Sequence, residues 1–351
     1  MKIAVLYIIT ALSGLLLISA GNEKAPTPLV LTYNPRFTQI QLPEDNPLTQ
    51  EGVFLGRLLF YDKMLSGNNS QSCGGCHKQE YAFTDGKKVA EGALGDTIAR
   101  NTMSLINAAW QREFFWDGRV SSLEELVPNP ITHPKEMAQD TTELLKEIGT
   151  HEHYPKLFAA AFPAQPLGMD LVNKALAQFV RTLITKGIVL PDSILPAYTQ
   201  KGMAPTPNEM SNYLVENTPR GTFFRFAKMC SDCHDKKIYG GVKMAFNGVK
   251  NGDSIQKMKA PSLINVMLTA PYMHDGRFKT LKEVMLHYKA NIETLHLHNP
   301  SLVSKPIPNL ITDYDIENIE SFLAFLVDSS MLTNKAYADP FATKDFNWKM
   351  N

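Results

Sequence analysis

The chain has 351 residues, and its 35 Lys and Arg balance 35 Asp and Glu, so its formal charge at pH 7 is zero. A chain without net positive charge is not built to hold nucleic acid, which wants a basic face. Its 44% hydrophobic content is enough to bury real cores, and its length suggests about two domains at roughly 150 residues each.

Met1–Ala20 carries Lys2, an apolar run from Ile3 to Ile18, then Ser19 and Ala20. That is the layout of a secretory signal. The alternative is an uncleaved membrane anchor, from a run barely long enough to span a bilayer. Residues 21–47 are rich in Pro, Thr and Asn and read as an extended arm. A helix is expected near Gly52–Phe60, leading into Cys73-Gly74-Gly75-Cys76-His77. A loop with several glycines runs on to Asp96, and Arg100-Asn101-Thr102 opens an apolar segment, Met103–Trp110. Phe115–Arg119 is a turn, and Ser121–Val127 resumes a helix. Pro128, Pro130 and Pro134 predict an irregular loop. Asp140-Thr141-Thr142-Glu143 is a helix start signal. Asp170 is expected to cap a helix ending at Gly187, with Leu171, Ala175, Leu176, Phe179, Leu183 and Ile184 as its core stripe. Pro191–Pro207 reads as an interdomain link.

The second half repeats the scheme. A helix over Phe223–Met229 enters Cys230-Ser231-Asp232-Cys233-His234, and a Gly- and Lys-rich loop covers Gly240–Lys259. Ala260–Asn265 matches Arg100–Asn107 in character. Met273-His274-Asp275-Gly276-Arg277 echoes Phe115-Trp116-Asp117-Gly118-Arg119, and Thr280–Glu283 echoes Ser122–Glu125. Thr312–Val327 is the last amphipathic helix, with Ile316, Ile319, Leu323 and Leu326 inward. Strand patterns are scarce. The expected class is all-α, with two cytochrome c-like haem domains packed face to face: residues 21–195 and 196–351, after the signal at 1–20.

The two C-x-x-C-H stretches use all four cysteines. This is the attachment pattern of c-type haem: two thiols on one helical turn reach the porphyrin's two vinyl groups, and the next residue, His, lies under the iron. A zinc site needs no His directly after each Cys pair. A redox C-x-x-C is expected near a strand–helix pattern. Structural disulfides explain the even count but not the histidines. Export fits the haems, since attachment is expected outside the bacterial cytoplasm.

From Leu55 to Leu326 the chain resembles the bacterial di-haem cytochrome c peroxidase family, which includes the MauG-type enzymes. The motifs that carry the resemblance are Leu55–Phe60, Ser72–His77, Arg100-Asn101-Thr102, Phe115–Arg119, Pro134–Met137 and Leu268–Gly276. The resemblance implies reduction of hydrogen peroxide with electrons from a small reduced cytochrome or cupredoxin. It makes the haem at Cys73, Cys76 and His77 peroxidatic, and the haem at Cys230, Cys233 and His234 the electron acceptor. Glu136 falls on the family's distal acid, Pro130 on its apolar distal proline and Trp116 on the tryptophan between the haems. Leu126 departs from the pattern, which often has Gln there.

Many relatives carry a haem-ligating His in the loop that here reads Ala90-Glu91-Gly92-Ala93-Leu94-Gly95. The expectation is a five-coordinate first haem needing no reductive activation, unless Met103 or His133 fills the position. The second haem's other ligand is expected to be Tyr288, as in MauG-type enzymes, with Met285 one helical turn earlier as the alternative. His274 matches a family residue near the second haem. Calcium is implied between the domains, on the Asn101 side chain and the Thr269 and Pro271 carbonyls, oxygen donors suited to that ion. The rival readings are a MauG-type oxidant acting on a partner protein, and a non-enzymatic di-haem electron carrier or sensor. A homodimer is left open.

Overall fold

The first half is built on two helices that touch almost backbone to backbone. α1 (Gln50–Tyr61) starts at Thr49, whose side chain accepts the Gly52 N–H. Leu55, Leu58, Leu59 and Phe60 are buried along it, at the spacing of an apolar helix stripe. α7 (Met169–Thr182) packs along α1. Gly56 sets their closeness, because a methyl there would run into the Ala175 carbonyl of α7. The predicted stripe from Leu171 to Ile184 is buried as expected. The helix itself is capped by Gly168, with Asp170 in its first turn, and it ends at Thr182, well before Gly187.

The computed structural model describes residues 25–33, 37–186, 230, 233–234, 244–251, 254–293, 295, 311–324, 326–343 and 346–349. The expected signal at Met1–Ala20, the link at Pro191–Pro207 and the helix at Phe223–Met229 lie outside the described residues.

Four short elements and one longer helix complete the first core. α2 (Cys73–Cys76) is a single turn, followed later by α3 (Leu123–Leu126) and α4 (Pro128–Thr132). α4 corrects the expected irregular loop. Pro128 and Pro130 both fall in its first turn, where a missing N–H leaves no hydrogen bond unmade. α5 (Thr141–Thr150) begins as expected at Asp140, whose carboxylate accepts the Thr142 and Glu143 N–H groups at 2.8 and 3.0 Å. α6 (Tyr154–Ala161) closes the layer.

In the second half, β1 (Met244–Asn251) and β2 (Ser254–Lys259) form an antiparallel hairpin with Met244 opposite Lys259. This corrects the loop expected over Gly240–Lys259, and the fold is mostly helical rather than all-α. Gly248, at φ +73°, sits where the register shifts between Phe246 and Lys250, a bulge glycine. α8 (Leu281–Ala290) opens on a capping box between Thr280 and Glu283. α9 (Asp313–Ala324) buries Ile316, Ile319 and Leu323, and Leu326 is buried just beyond it. α10 (Ser330–Thr333) follows, so α9 is not the last helix.

Among the described residues three apolar clusters result, one around α1 and α7, one around Leu263, Leu281 and Ile319, and a smaller one of Ile40, Trp110 and Ile184. The C-terminal tail returns to the first core: Met331 joins it, the Arg57 guanidinium donates to Ala338 O, and the Tyr61 hydroxyl donates to Tyr337 O at 2.6 Å. Among the described residues no helix is long and apolar enough to cross a membrane.

The duplication read from the sequence is present in the backbone. Asn107 and Asn265 both sit at φ +61°, in the left-handed region. Gly118 and Gly276 do so at +68° and +60°. The bridge between Phe114 and Val120 is matched by one between Tyr272 and Phe278. All these pairs share the 158-residue separation of Arg100 and Met258, which touch each other.

Candidate functional site

Both histidines of the C-x-x-C-H motifs are oriented by a backbone carbonyl. His77 Nδ1 lies 3.0 Å from Phe83 O, and His234 Nδ1 lies 2.7 Å from Pro261 O. A carbonyl only accepts, so each Nδ1 carries the proton and each Nε2 keeps its lone pair for a metal. Burial lowers the pKa of both imidazoles, holding them neutral, the state that ligation requires. No disulfide joins any of the four cysteines. In each motif the His N–H bonds back to the first Cys carbonyl at 2.8 Å, so the turn presents Cys, Cys and His together. These features fit covalent haem c.

Around the second motif the fit extends to space. A cavity of about 220 Å³, partly open to solvent, is bordered by Cys230, Cys233, His234, Met285 and Tyr288. Its walls are largely apolar, with Leu263, Ile319 and Leu323 among them. Tyr288 lies near both thiols, and burial is the main reason its phenol is pushed well above the usual range. Met285 is buried in the same wall. Both expected ligands therefore border the cavity. His287 instead turns to the hairpin, its Nε2 2.8 Å from Asn247 O.

Near the first motif, Glu136 is the candidate acid–base group. Its side chain is 26% exposed. Burial pushes its carboxyl up, against smaller downward pulls from His133 and Arg119. It acts electrostatically on Cys76, so it lies on the first-motif side. Its backbone is fixed from two directions: its N–H bonds His133 O at 2.9 Å, and its carbonyl accepts the Ala93 N–H at 2.7 Å. The His-free loop is thus tied directly to the Glu136 segment. Gly92 permits that contact, since a methyl there would strike Lys135 O. Pro130 stands in α4 beneath this segment, its carbonyl accepting the Met137 N–H. His133 is half exposed, with Nδ1 accepting from Lys135 N and 3.8 Å from Glu136. Met103 meets the His77 ring through its backbone. Leu126 is half-buried against the first core.

Between the motifs, Trp116 is 8% exposed, and its indole N–H donates to Asn101 O at 2.8 Å. Its ring meets the His274 ring, which is buried with Nδ1 lacking a hydrogen-bond partner among the described residues. Two reciprocal bonds surround the pair. Asn101 N–H donates to His274 O at 2.8 Å, and Lys259 N–H donates to Trp116 O at 2.7 Å.

Asn101, Thr269 and Pro271 all border the same cavity. The Asn101 amide nitrogen donates to Lys87 O and Lys88 O at 2.9 and 3.2 Å, so its side-chain oxygen is the atom that remains for ligation. Neutral oxygens of this kind fit calcium. Among the described residues there is no group of three or more His, Cys, Asp or Glu that could hold a metal ion.

Sequence reasoning missed Lys259, a lysine only 3% exposed, whose Nζ bonds Gln111 Oε1. Burial pulls it down to about 8. It also missed Arg119, which lies over the Phe115 ring and acts on Glu136. Both roles depend on contacts that no local motif encodes. His151 and His153 pack against Trp348. His296 and His298 lie outside the described residues.

The chain was compared with known proteins. Residues 50–195 match the model of the di-haem cytochrome c peroxidase family. The chain is 30% identical over 341 residues to the methylamine utilization protein MauG of Methylorubrum extorquens, covering 91% of this chain and 90% of that one. It is 29% identical over 298 residues to the cytochrome c peroxidase Ccp of Escherichia coli K12, covering 78% of this chain and 60% of the relative. A crystal structure of a MauG-like protein associated with microbial copper homeostasis aligns with TM-score 0.69 and 27% identity, covering 88% of this chain and 98% of that one.

Proposed function

The chain belongs to the di-haem cytochrome c peroxidase and MauG family, and from that premise we propose that it reduces hydrogen peroxide to water with electrons from a small reduced cytochrome c or cupredoxin. The observation that carries this reading is Glu136, a partly buried carboxyl whose affinity for protons is raised by burial, on a segment tied to the first motif's surroundings. In this reading Met1–Ala20 exports the protein to the periplasm. Residues 21–195 and 196–351 are two cytochrome c-like domains packed face to face about Trp116 and His274.

Haem, bound at each motif, supplies the redox chemistry. The chain's own residues do the rest. Cys73 and Cys76 tether one haem and Cys230 and Cys233 the other, with His77 and His234 presenting Nε2 to the irons. Glu136 takes the proton from hydrogen peroxide and returns it to the departing oxygen, general acid–base work typically contributing about 10²–10⁴-fold. Pro130 has no donor to offer, so proton handling falls to Glu136. The loop Ala90–Gly95 carries no histidine and is hydrogen-bonded to the Glu136 segment. Both features support a five-coordinate first haem that reacts without prior reduction. Trp116, whose indole N–H donates to Asn101 O, would relay electrons between the haems. Calcium would be held by the Asn101 side-chain oxygen and the Thr269 and Pro271 carbonyls.

One observation favours a second reading. Tyr288 borders the cavity beside Cys230 and Cys233, and a tyrosinate ligand lowers a haem's potential. A MauG-type enzyme that oxidises residues of a partner protein follows from that, and the identity to MauG agrees with it.

The deciding experiment is hydrogen-peroxide-dependent oxidation of a small reduced cytochrome c by the ferric protein, wild type against Glu136→Gln. Fast turnover without prior reduction, lost in the variant, supports the peroxidase. Peroxide-driven spectral change with negligible donor turnover supports the partner-protein oxidant. No reaction with peroxide overturns both and leaves an electron carrier or sensor.

A further inference from the structure

The reciprocal bonds at the junction follow one register. Asn101 N–H to His274 O and Lys259 N–H to Trp116 O are the same bond in each repeat, at 2.8 and 2.7 Å. The register is the 158-residue separation that Arg100 and Met258 show in direct contact. It pairs Asn101 with Lys259, Gln111 with Thr269, and Glu113 with Pro271. The candidate metal ligands Asn101, Thr269 and Pro271 thus have a mirror set: Lys259, Gln111 and Glu113. Sequence order alone hides this, because each set draws residues from both halves.

The mirror set holds a charge of its own. Lys259 is 3% exposed, its Nζ bonds Gln111 Oε1, and it lies 5.6 Å from the centre of the Phe114 ring. Glu113 is the charged group that acts on it, and Glu113 Oε2 is buried with no hydrogen-bond partner among the described residues. Burying an ammonium without compensation is costly, so such lysines sit where oxygens already converge. Asn101, at the mate position, is neutral, and its amide nitrogen is held by Lys87 O and Lys88 O.

We propose that the Lys259 ammonium is a tethered cation that fills the second of two pseudo-equivalent cation sites at the junction of the repeats, the first taking a calcium ion. The inference rests on the reading of Asn101, Thr269 and Pro271 as calcium ligands. Its consequence is an asymmetric junction. One site is filled by the chain's own side chain, and the other only when calcium is bound.

The test uses the fully haem-loaded protein and counts bound calcium per chain by elemental analysis and calorimetric titration with calcium chloride. Wild type is expected to bind one calcium. Lys259→Asn, which copies the Asn101 position, is expected to bind two, and its melting temperature should rise until both equivalents are added. Asn101→Lys, the reverse exchange, is expected to bind none and to melt at the same temperature with or without chelator. One calcium in both wild type and Lys259→Asn overturns the proposal while leaving the calcium reading intact. No calcium in wild type overturns the calcium reading and the proposal with it. Should Lys259→Asn not fold, Asn101→Lys decides alone: a melting temperature as low as that of chelator-treated wild type sinks the tethered-cation idea.

Discussion

The rings of Trp116 and His274 meet edge to face, with centroids 6.4 Å apart and planes inclined at 66°. The two residues occupy the same position in the two repeats, so the junction places an aromatic side chain of each half against its counterpart. Only Trp116 has its polar atom engaged there, by Asn101 O at 2.8 Å. If electrons pass between the halves through this contact, Trp116→Phe keeps most of the packing and loses the indole. Donor-dependent peroxide turnover should then fall by at least about tenfold, equivalent to about 1.4 kcal/mol of barrier. Both haems should remain attached, and the initial peroxide reaction of the first haem should persist. Stopped-flow spectroscopy separates the two steps, and unchanged turnover in Trp116→Phe would assign the residue to packing alone.

Glu136 gives a prediction in which activity and stability move oppositely. Burial raises its carboxyl above the ordinary value, so the folded chain holds this proton more tightly than the unfolded chain does. Between the ordinary and the raised value the native state carries more protons, and stability therefore falls as pH rises through that window. Above it the full penalty applies. Glu136→Gln removes the penalty, so the variant should melt higher than wild type at pH 7, and the difference should vanish below the ordinary carboxylate range. Its peroxide reaction should be slower by about 10²–10⁴-fold. Thermal melts across pH, alongside peroxide kinetics, check both halves. A variant less stable than wild type at pH 7 would mean that Glu136 is held as a paired carboxylate instead.

What could be read from the chain beforehand tracks how local the physics is. The motifs at Cys73–His77 and Cys230–His234 are set by spacing alone, and the caps at Asp140 and Thr280 follow from two or three neighbouring residues. The hairpin at Met244–Lys259 was invisible because its Lys and Gly content resembles a loop. Its strands are held by pairing and by α8, where His287 bonds Asn247 O. The helix at Pro128–Thr132 was missed because three prolines in seven residues suggest a loop, yet two of them fall in a first turn that tolerates them. Lys259 carries no sequence signal, since its partner Gln111 lies 148 residues away. The choice between Tyr288 and Met285 resists spacing arguments because both side chains border one cavity.

The paired asparagines Asn107 and Asn265 are expected to be among the most costly single losses. Each sits at φ +61°. The Asn265 side-chain oxygen accepts the Asp328 N–H at 2.6 Å and its amide donates to Asp328 O, both within the buried interior. The Asn107 side-chain oxygen accepts the Thr185 N–H at 3.0 Å, and its amide donates to the Thr185 hydroxyl at 3.1 Å. Alanine removes both bonds and disfavours the left-handed backbone. Each Asn→Ala change should therefore cost about 2–4 kcal/mol, while Asn265→Asp should lose less because it keeps the acceptor. Denaturant titration of the holo-protein measures this, and a loss below about 1 kcal/mol would show that the segment rearranges.

The second haem's sixth ligand turns on Tyr288 and Met285. Tyr288 is neutral in the chain by itself: burial pushes its phenol far up, and the Cys230 and Cys233 thiols add to that. Thioether formation removes the thiol contribution but not the burial. A buried phenol becomes an anionic ligand only when a metal ion takes the place of its proton. The repeat register supplies an independent argument for its position. Tyr288 is the mate of Pro130, so whichever element carries Pro130 over one motif carries Tyr288 over the other, whereas the mate of Met285 is Val127. Tyr288→Phe should therefore alter the ferric spectrum of the second haem and raise its midpoint potential, while Met285→Leu should leave both unchanged. Spectroelectrochemical titration of the three proteins reads the outcome. If Met285→Leu lowers the potential and Tyr288→Phe does nothing, the ligand is the thioether. A methionine-ligated haem is a better electron acceptor, so that result would favour the peroxidase over the partner-protein oxidant.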